Sequence, residues 1–239
     1  MSLQEALDLL AQWSEDNQAR YIATANAEMV MRARKDIQLA KVLHEADLVV
    51  PDGAGIIWAG EHLSAHFAER VAGIDLMIAT IRYAQEKNFP FYLLGGAPGV
   101  AHQAVRQMQA KWGTLPVAGV RNGFFLPEES PQLVAEIQES GAKFLFVALG
   151  VPKQEFWIHE NLSALPGITA MGVGGSLDVI SGNLRRAPLW MQKNRLEWLY
   201  RLCLQPQRAG RMMVLPQFMW QVWSEKRRRK KALQRGGKQ

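Results

Sequence analysis

Residues 144–175 read FLFVALGVPKQEFWIHENLSALPGITAMGVGG and alternate two apolar runs with one helix-like segment. The runs at 144–149 and 168–173 have the length and apolar content of buried strands, and a glycine turn follows each of them. The segment between them, 154–162, is typical of a helix. Two strands joined by a helix in this way predict a parallel sheet.

The same alternation extends over most of the chain. Further strands are predicted at 20–24, 48–50, 91–94 and 117–120, and further helices near 28–44, 56–66, 76–87, 100–112 and 131–140. SLQE at residues 2–5 has the sequence of a capping box, which predicts an opening amphipathic helix rather than a signal peptide. The whole pattern predicts an α/β fold, with a mostly parallel sheet covered by helices on both faces.

Glycine turns fall where the predicted strands end, which is the edge at which such sheets bind ligands. The turns are Asp52-Gly53, Gly95-Gly96, Gly150, Gly172 and Gly174-Gly175, and a cluster of arginines comprises Arg185, Arg186, Arg201, Arg208 and Arg211. Backbone N–H groups at a helix start and guanidinium groups both bind phosphate oxygens, so the combination indicates a phosphorylated ligand. Ordinary turn chemistry is the alternative explanation for Gly95, Gly96 and the Asp52-Gly53 pair.

Charge divides the chain into two parts. The net charge is +6, but residues 195–239 carry +10 from 12 Lys and Arg against Glu197 and Glu225, so residues 1–194 carry −4. We therefore expect a catalytic body at 1–194 and a basic appendage at 195–239 that binds a polyanion. The single cysteine, Cys203, excludes an internal disulfide and is typical of a reducing cytosol.

The appendage contains aromatic, apolar and basic residues in a combination that is typical of a helix lying on an anionic membrane surface. Its apolar run at 212–223 precedes the Lys/Arg cluster at 226–231, and Pro216 is expected to kink or end the helix. An ordinary helix that packs on the body is the alternative. No apolar run approaches the roughly 20 residues that a membrane-spanning helix needs.

Seven motifs closely resemble those of the WecG/TagA/CpsF family of bacterial glycosyltransferases and occur in the family's order. They are TANAE at 24–28, VPDGAG at 50–55, ERVAGIDL at 69–76, GVPKQEFW at 150–157, GVGGSLDVISGNLRRAP at 172–188, LEWLYRL at 196–202 and PQRAGRM at 206–212. The resemblance covers about residues 21–218 and implies a Rossmann-like fold. It is nearest to the members that add N-acetylmannosamine in wall teichoic acid linkage-unit synthesis.

That resemblance implies an inverting, metal-independent transfer of N-acetylmannosamine from UDP-ManNAc to GlcNAc on undecaprenyl diphosphate, with a β-1,4 linkage. The corresponding uronic acid, or another UDP-hexose, is the alternative donor. The resemblance also implies a cytoplasmic enzyme, peripheral on the inner face of the bacterial plasma membrane, and self-association of the body. No cofactor is expected, and the five histidines show no metal-ligand spacing.

Roles for individual residues follow from the same resemblance. Asp52 of the PDG motif would be the general base, with Thr24 and Asn26 around the sugar and the acceptor. Capping of the helix that opens at Ala27 is the alternative for Thr24 and Asn26. The implied substrate-binding residues, including the glycine turns, are Arg70, Gln154, Gly95, Gly96, Gly174, Gly175, Arg201, Arg208 and Arg211.

Two other classes of protein share some of these features. A nucleotide-dependent oxidoreductase would also alternate strands with glycine turns, but GxGxxG with an acidic residue ~20 positions later is missing. A nucleic-acid-binding protein would explain RRRKK at 227–231. The apolar and aromatic residues before that cluster favour a lipid interface instead, so we expect no nucleic-acid partner.

Overall fold

The computed structural model describes residues 1–65, 67, 69–206, 210 and 213–236, with side chains as far as Lys230. Within these residues, six parallel strands form one sheet in the order β2-β1-β6-β5-β3-β4. The strands are β1 Arg20–Ala25, β2 Leu48–Pro51, β3 Phe91–Gly95, β4 Val117–Arg121, β5 Phe144–Ala148 and β6 Thr169–Gly172. All six predicted strands are confirmed.

Helices cover both faces of the sheet, as predicted. In chain order, the helices of the described residues are α1 Leu3–Trp13, α2 Ala27–Ala33, α3 Ile37–His44, α4 Ala54–Leu63, α5 Gly73–Lys87, α6 Val100–Trp112, α7 Ser130–Glu139, α8 Lys153–Asn161, α9 Ser176–Ile180, α10 Leu189–Lys193, α11 Glu197–Leu204 and α12 Val214–Gly236. Neighbouring strand residues face opposite cores: Ile22 packs with α1, α5 and α6, whereas Tyr21 packs with α3, α7 and α8. Burial on both faces explains why the strands are almost wholly apolar.

Local capping decides where several helices begin and end. The predicted capping box is present, because the Ser2 hydroxyl accepts from the Glu5 N–H at 3.1 Å and the Glu5 carboxylate accepts from the Ser2 N–H at 2.7 Å. The prediction of a single helix at 28–44 was wrong. Asp36 accepts from the N–H groups of Gln38 and Leu39, so it starts a second helix and divides the segment into α2 and α3.

The C-terminal helix α12 packs against α2 and α4 through the buried side chains of Phe218 and Val222. The prediction that Pro216 kinks or ends this helix was wrong. Pro216 lies in the first turn of α12, where a missing N–H breaks no intrahelical hydrogen bond. None of the helices in the described part of the chain is both long enough and apolar enough to cross a bilayer.

Candidate active site

A cavity of about 270 Å³ opens at the carboxyl edge of the sheet, beyond the ends of β1, β2, β5 and β6. Residues from α11 and the first turn of α12 close one side, so both parts of the chain contribute to its wall. Eight predicted site residues line the cavity: Thr24, Asn26, Asp52, Arg70, Gln154, Gly174, Gly175 and Arg201. Two further predicted residues, Arg208 and Arg211, lie outside the described residues.

Asp52 directly follows β2 and is fixed by backbone geometry. Its N–H donates to the carbonyl of Ala25 at 2.8 Å, which extends the pairing between β1 and β2. Gly53 then turns the chain into α4 with a φ of +89°, a conformation that residues with a Cβ rarely adopt. The end of the strand and the glycine turn together place the carboxylate on the cavity wall.

Burial raises the pKa of the Asp52 carboxyl above its usual range. The positive charges of Arg70 and Arg201 and a hydrogen bond from the Gly73 N–H act in the opposite direction, while the charge of Glu197 adds to the increase. The result is a carboxylate that accepts a proton more readily than an exposed aspartate does.

Glu197, at the start of α11, links two of the cavity's arginines. Its carboxylate accepts from Nη2 of Arg70 at 2.6 Å and lies 3.8 Å from Nη2 of Arg201, and its side chain is 11% exposed. Nε of Arg70 is buried and has no hydrogen-bond partner within the described residues. This ion-pair network ties α11 to the body and fixes two guanidinium groups on the wall that also carries Asp52.

Thr24 and Asn26 have structural bonds as well as positions on the cavity wall. Oδ1 of Asn26 accepts from the Met29 N–H at 3.0 Å, which confirms its role as the cap of α2. Thr24 does not cap the helix. Its hydroxyl donates to the carbonyl of Gly172 at 2.8 Å and joins the ends of β1 and β6.

Gln154 holds together the glycine turns that follow β5 and β6. Its Oε1 accepts from the N–H of Gly150 at 3.2 Å and from the N–H of Gly174 at 3.0 Å. Its Nε2 packs so closely over Gly172 that a Cβ on that glycine would approach it to 2.6 Å. The side chain is almost fully buried, so it shapes this part of the cavity from behind.

Glu155 is a buried acid next to Gln154. One of its oxygens accepts from Nε2 of Gln154 at 2.8 Å, whereas Oε2 and the Tyr21 hydroxyl are buried without partners among the described residues. Burial raises the pKa of Glu155 to about 7, so it exchanges its proton near neutrality.

Gly95 and Gly96 lie outside the cavity lining, although they were predicted to bind substrate. A Cβ on Gly95 would come within 2.4 Å of the Ala148 carbonyl oxygen, and the Gly96 N–H donates to that oxygen at 3.1 Å. Their geometry therefore serves the close approach of β3 to β5, the turn chemistry that was the alternative explanation.

Comparison with known proteins places the chain in a family. Its residues 1–232 match the model of the glycosyl transferase WecG/TagA/CpsF family. The chain belongs to this family. It is 32% identical over 213 residues to the N-acetylglucosaminyldiphosphoundecaprenol N-acetyl-beta-D-mannosaminyltransferase of Bacillus spizizenii strain W23, covering 89% of this chain and 82% of that protein. The protein of the same name from Bacillus subtilis strain 168 is 32% identical over 209 residues, with coverage of 87% and 81%.

The cavity of this WecG/TagA/CpsF family member brings a carboxylate with a raised pKa, Asp52, together with the guanidinium groups of Arg70 and Arg201. A carboxylate of this kind can accept a proton, and guanidinium groups can stabilise the negative charge of a phosphate. In the described part of the chain, no group of three or more His, Cys, Asp or Glu side chains is placed to hold a metal ion.

Several residues that line the cavity were not predicted from the sequence, namely Glu28, Arg195, Glu197 and Trp198. The bond from Arg70 to Glu197 spans 127 positions, and no local pattern reports a contact over that distance. A weak signal was available for Glu197. It is one of only two acidic residues in the otherwise basic appendage, and an isolated acid among arginines is a candidate for an ion pair.

Proposed function

We propose that this glycosyltransferase moves N-acetylmannosamine from UDP-ManNAc to the 4-hydroxyl of GlcNAc carried on undecaprenyl diphosphate. One observation carries the proposal: Asp52, whose pKa is raised, lies on the same cavity wall as Arg70 and Arg201 and interacts electrostatically with both. Two relatives support the choice of sugar and acceptor, because both are named as transferring N-acetylmannosamine to N-acetylglucosaminyldiphosphoundecaprenol.

The proposed chemistry is a single displacement at the anomeric carbon. Asp52 removes the proton of the acceptor hydroxyl while its oxygen attacks, and the bond from the anomeric carbon to the UDP phosphate oxygen breaks. The configuration inverts because attack and departure occur on opposite faces. Arg70 and Arg201 stabilise the negative charge on the leaving UDP, in the role that a divalent ion has in other enzymes. Arg208 and Arg211 are proposed to assist them.

A donor panel tests the proposed reaction. The full-length enzyme is incubated with GlcNAc-diphosphoundecaprenol and either UDP-ManNAc, its uronic acid or UDP-GlcNAc, and released UDP and glycosylated lipid are both measured. We expect turnover with UDP-ManNAc, nearly unchanged by EDTA. Preferred turnover of the uronic acid would support the alternative donor, and loss of turnover in EDTA that Mg²⁺ restores would contradict metal independence.

We also propose that the enzyme works in the cytoplasm, on the inner face of the plasma membrane. Support comes from the exposed apolar side chains of the C-terminal helices, among them Trp190 at 60% exposure, Trp220 at 62% and Met219 at 50%. The exposed basic residues that follow on α12 match an anionic surface, and Arg227 stacks 3.4 Å over the Trp223 ring.

A further inference from the structure

A second cavity, of about 260 Å³, lies between α2, α4 and α12. We call it the apolar groove, and its walls include Val30, Met31, Ile56, Phe67, Phe218 and Val222. The polar side chains in its lining are those of Arg34, Gln221 and Glu225. A concave apolar surface of this kind is typical of a site for a hydrocarbon ligand.

The apolar groove continues from the active-site cavity along the same helices. On α2, Ala27 lines the cavity and Val30 lines the groove. On α12, Leu215 lines the cavity and Phe218 lines the groove, one turn further along. Leu215 and Phe218 both lie against Gly55 at the start of α4, so these contacts form the boundary between the two cavities.

The helices also give the groove a direction. The first turn of α12 contacts Gly55 near the start of α4, and Nη1 of Arg229 reaches the carbonyl of Leu63 at its end, so α4 and α12 run in the same direction. Passing along them, the lining changes from the cavity that carries Asp52 and the arginines to the apolar groove, and then to Arg34 and Glu225. The exposed basic residues of α12 come after that polar end.

We propose that the apolar groove binds the first isoprene units of the acceptor's lipid tail, an inference that rests on the proposed function. The acceptor's GlcNAc would lie at Asp52 in the active-site cavity, and the hydrocarbon attached to its diphosphate must leave that site. The groove is the neighbouring apolar concavity and removes this part of the tail from water. The rest of the tail continues to the membrane on which the basic end of α12 rests.

Filling the groove tests this proposal. Val30, half-buried on the groove wall, is replaced in Val30→Trp, and Ile37→Trp on the exposed start of α3 is the matched control. KM is measured in the full-length enzyme for two acceptors in the same detergent micelles. Both carry GlcNAc on diphosphate, one with an undecaprenyl tail and one with an alkyl chain too short to enter the groove.

We expect Val30→Trp to raise KM for the undecaprenyl acceptor by about tenfold, the effect of about two CH₂ groups that lose burial. The KM for the short-chain acceptor should change by less than about twofold, and Ile37→Trp should change neither. If Val30→Trp does not fold, Ala65→Trp enters the groove from its exposed rim and should give the same selective loss.

The outcomes separate the groove from the proposed function. If Val30→Trp affects both acceptors equally, or neither, the groove proposal is overturned. The proposed function would still stand in that case, provided that the wild type transfers the sugar. A change in the protein's oligomeric mass with unchanged KM would show that the groove holds a second copy of the chain. A wild type that glycosylates neither acceptor would refute the proposed function and the groove proposal with it.

Discussion

At the scale of single residues, the proposed role of Asp52 as the base predicts how turnover depends on pH. A base is active when unprotonated, and the pKa of Asp52 is raised, so turnover should fall on acidification at a higher pH than for an exposed aspartate. Asp52→Asn should lower kcat by about 10²–10⁴ and leave UDP binding almost unchanged, because the base faces the acceptor. Kinetics across pH and calorimetric UDP titration measure both. Asp8→Asn, exposed on α1, is the control, and wild-type turnover in Asp52→Asn would exclude this base.

The raised pKa of Glu155 leads to a separate prediction about stability. Its folded pKa of about 7 exceeds the usual glutamate value of about 4.3, so between these values the folded chain keeps a proton that the unfolded chain has lost. The free energy of unfolding should therefore fall as pH rises through that window, by on the order of 3 kcal/mol. Denaturant titrations should show that Glu155→Gln flattens this dependence. Glu160→Gln, exposed on the same helix, should not, and an unchanged slope in Glu155→Gln would contradict the prediction.

At the scale of the element, α11 is held to the body by the carboxylate of Glu197. A double-mutant cycle of Arg70→Ala and Glu197→Gln should give a coupling free energy of about 1–3 kcal/mol, because the pair is largely shielded from water. The control cycle uses Arg195 and Glu61, a bidentate pair whose side chains are 47% and 50% exposed, and should give less than about 1 kcal/mol. Unfolding monitored by circular dichroism provides both values. Equal couplings would mean that burial does not strengthen the inner pair.

Elements and site residues differ in how far the sequence predicts them. The strands were predictable because burial on both faces leaves a continuous apolar run, such as the run around Phe146. Asp52 and Gln154 could be placed because each follows a strand end, and strand ends of a parallel sheet meet at one edge. The break between α2 and α3 at Asp36 could not be predicted in the same way. It depends on a side-chain cap that competes with helix continuation, and hydrophobic periodicity contains no information about such a cap. Glu197 reaches the cavity only through tertiary packing of α11.

At the scale of the whole molecule, membrane attachment can be tested without removing any part of the active site. Truncation at Asn194 would also delete Glu197 and Arg201, so neutralisation in the full chain is the sharper experiment. Replacing four exposed basic residues of α12 with Gln should weaken binding to anionic vesicles by up to about 4 kcal/mol. They are Lys226, Arg227, Arg228 and Lys230.

Sedimentation with anionic and with neutral vesicles measures the effect of these four changes. The control neutralises four exposed lysines of the body, namely Lys35, Lys41, Lys87 and Lys111. Turnover of a short-chain acceptor in solution should survive in both variants, because none of the eight residues lines the cavity. Undiminished sedimentation of the α12 variant with anionic vesicles would contradict attachment through its basic end.

The only cysteine of the chain, Cys203, is exposed on α11, two residues beyond Arg201. A maleimide dye or a nitroxide spin label would therefore attach at one position without any engineered substitution. That position lies on the helix whose Glu197 and Arg201 line the cavity, so the spectrum of the label would report the local environment of α11 directly. Titration with UDP alone and with the donor would then show whether α11 stays fixed or moves when the nucleotide binds.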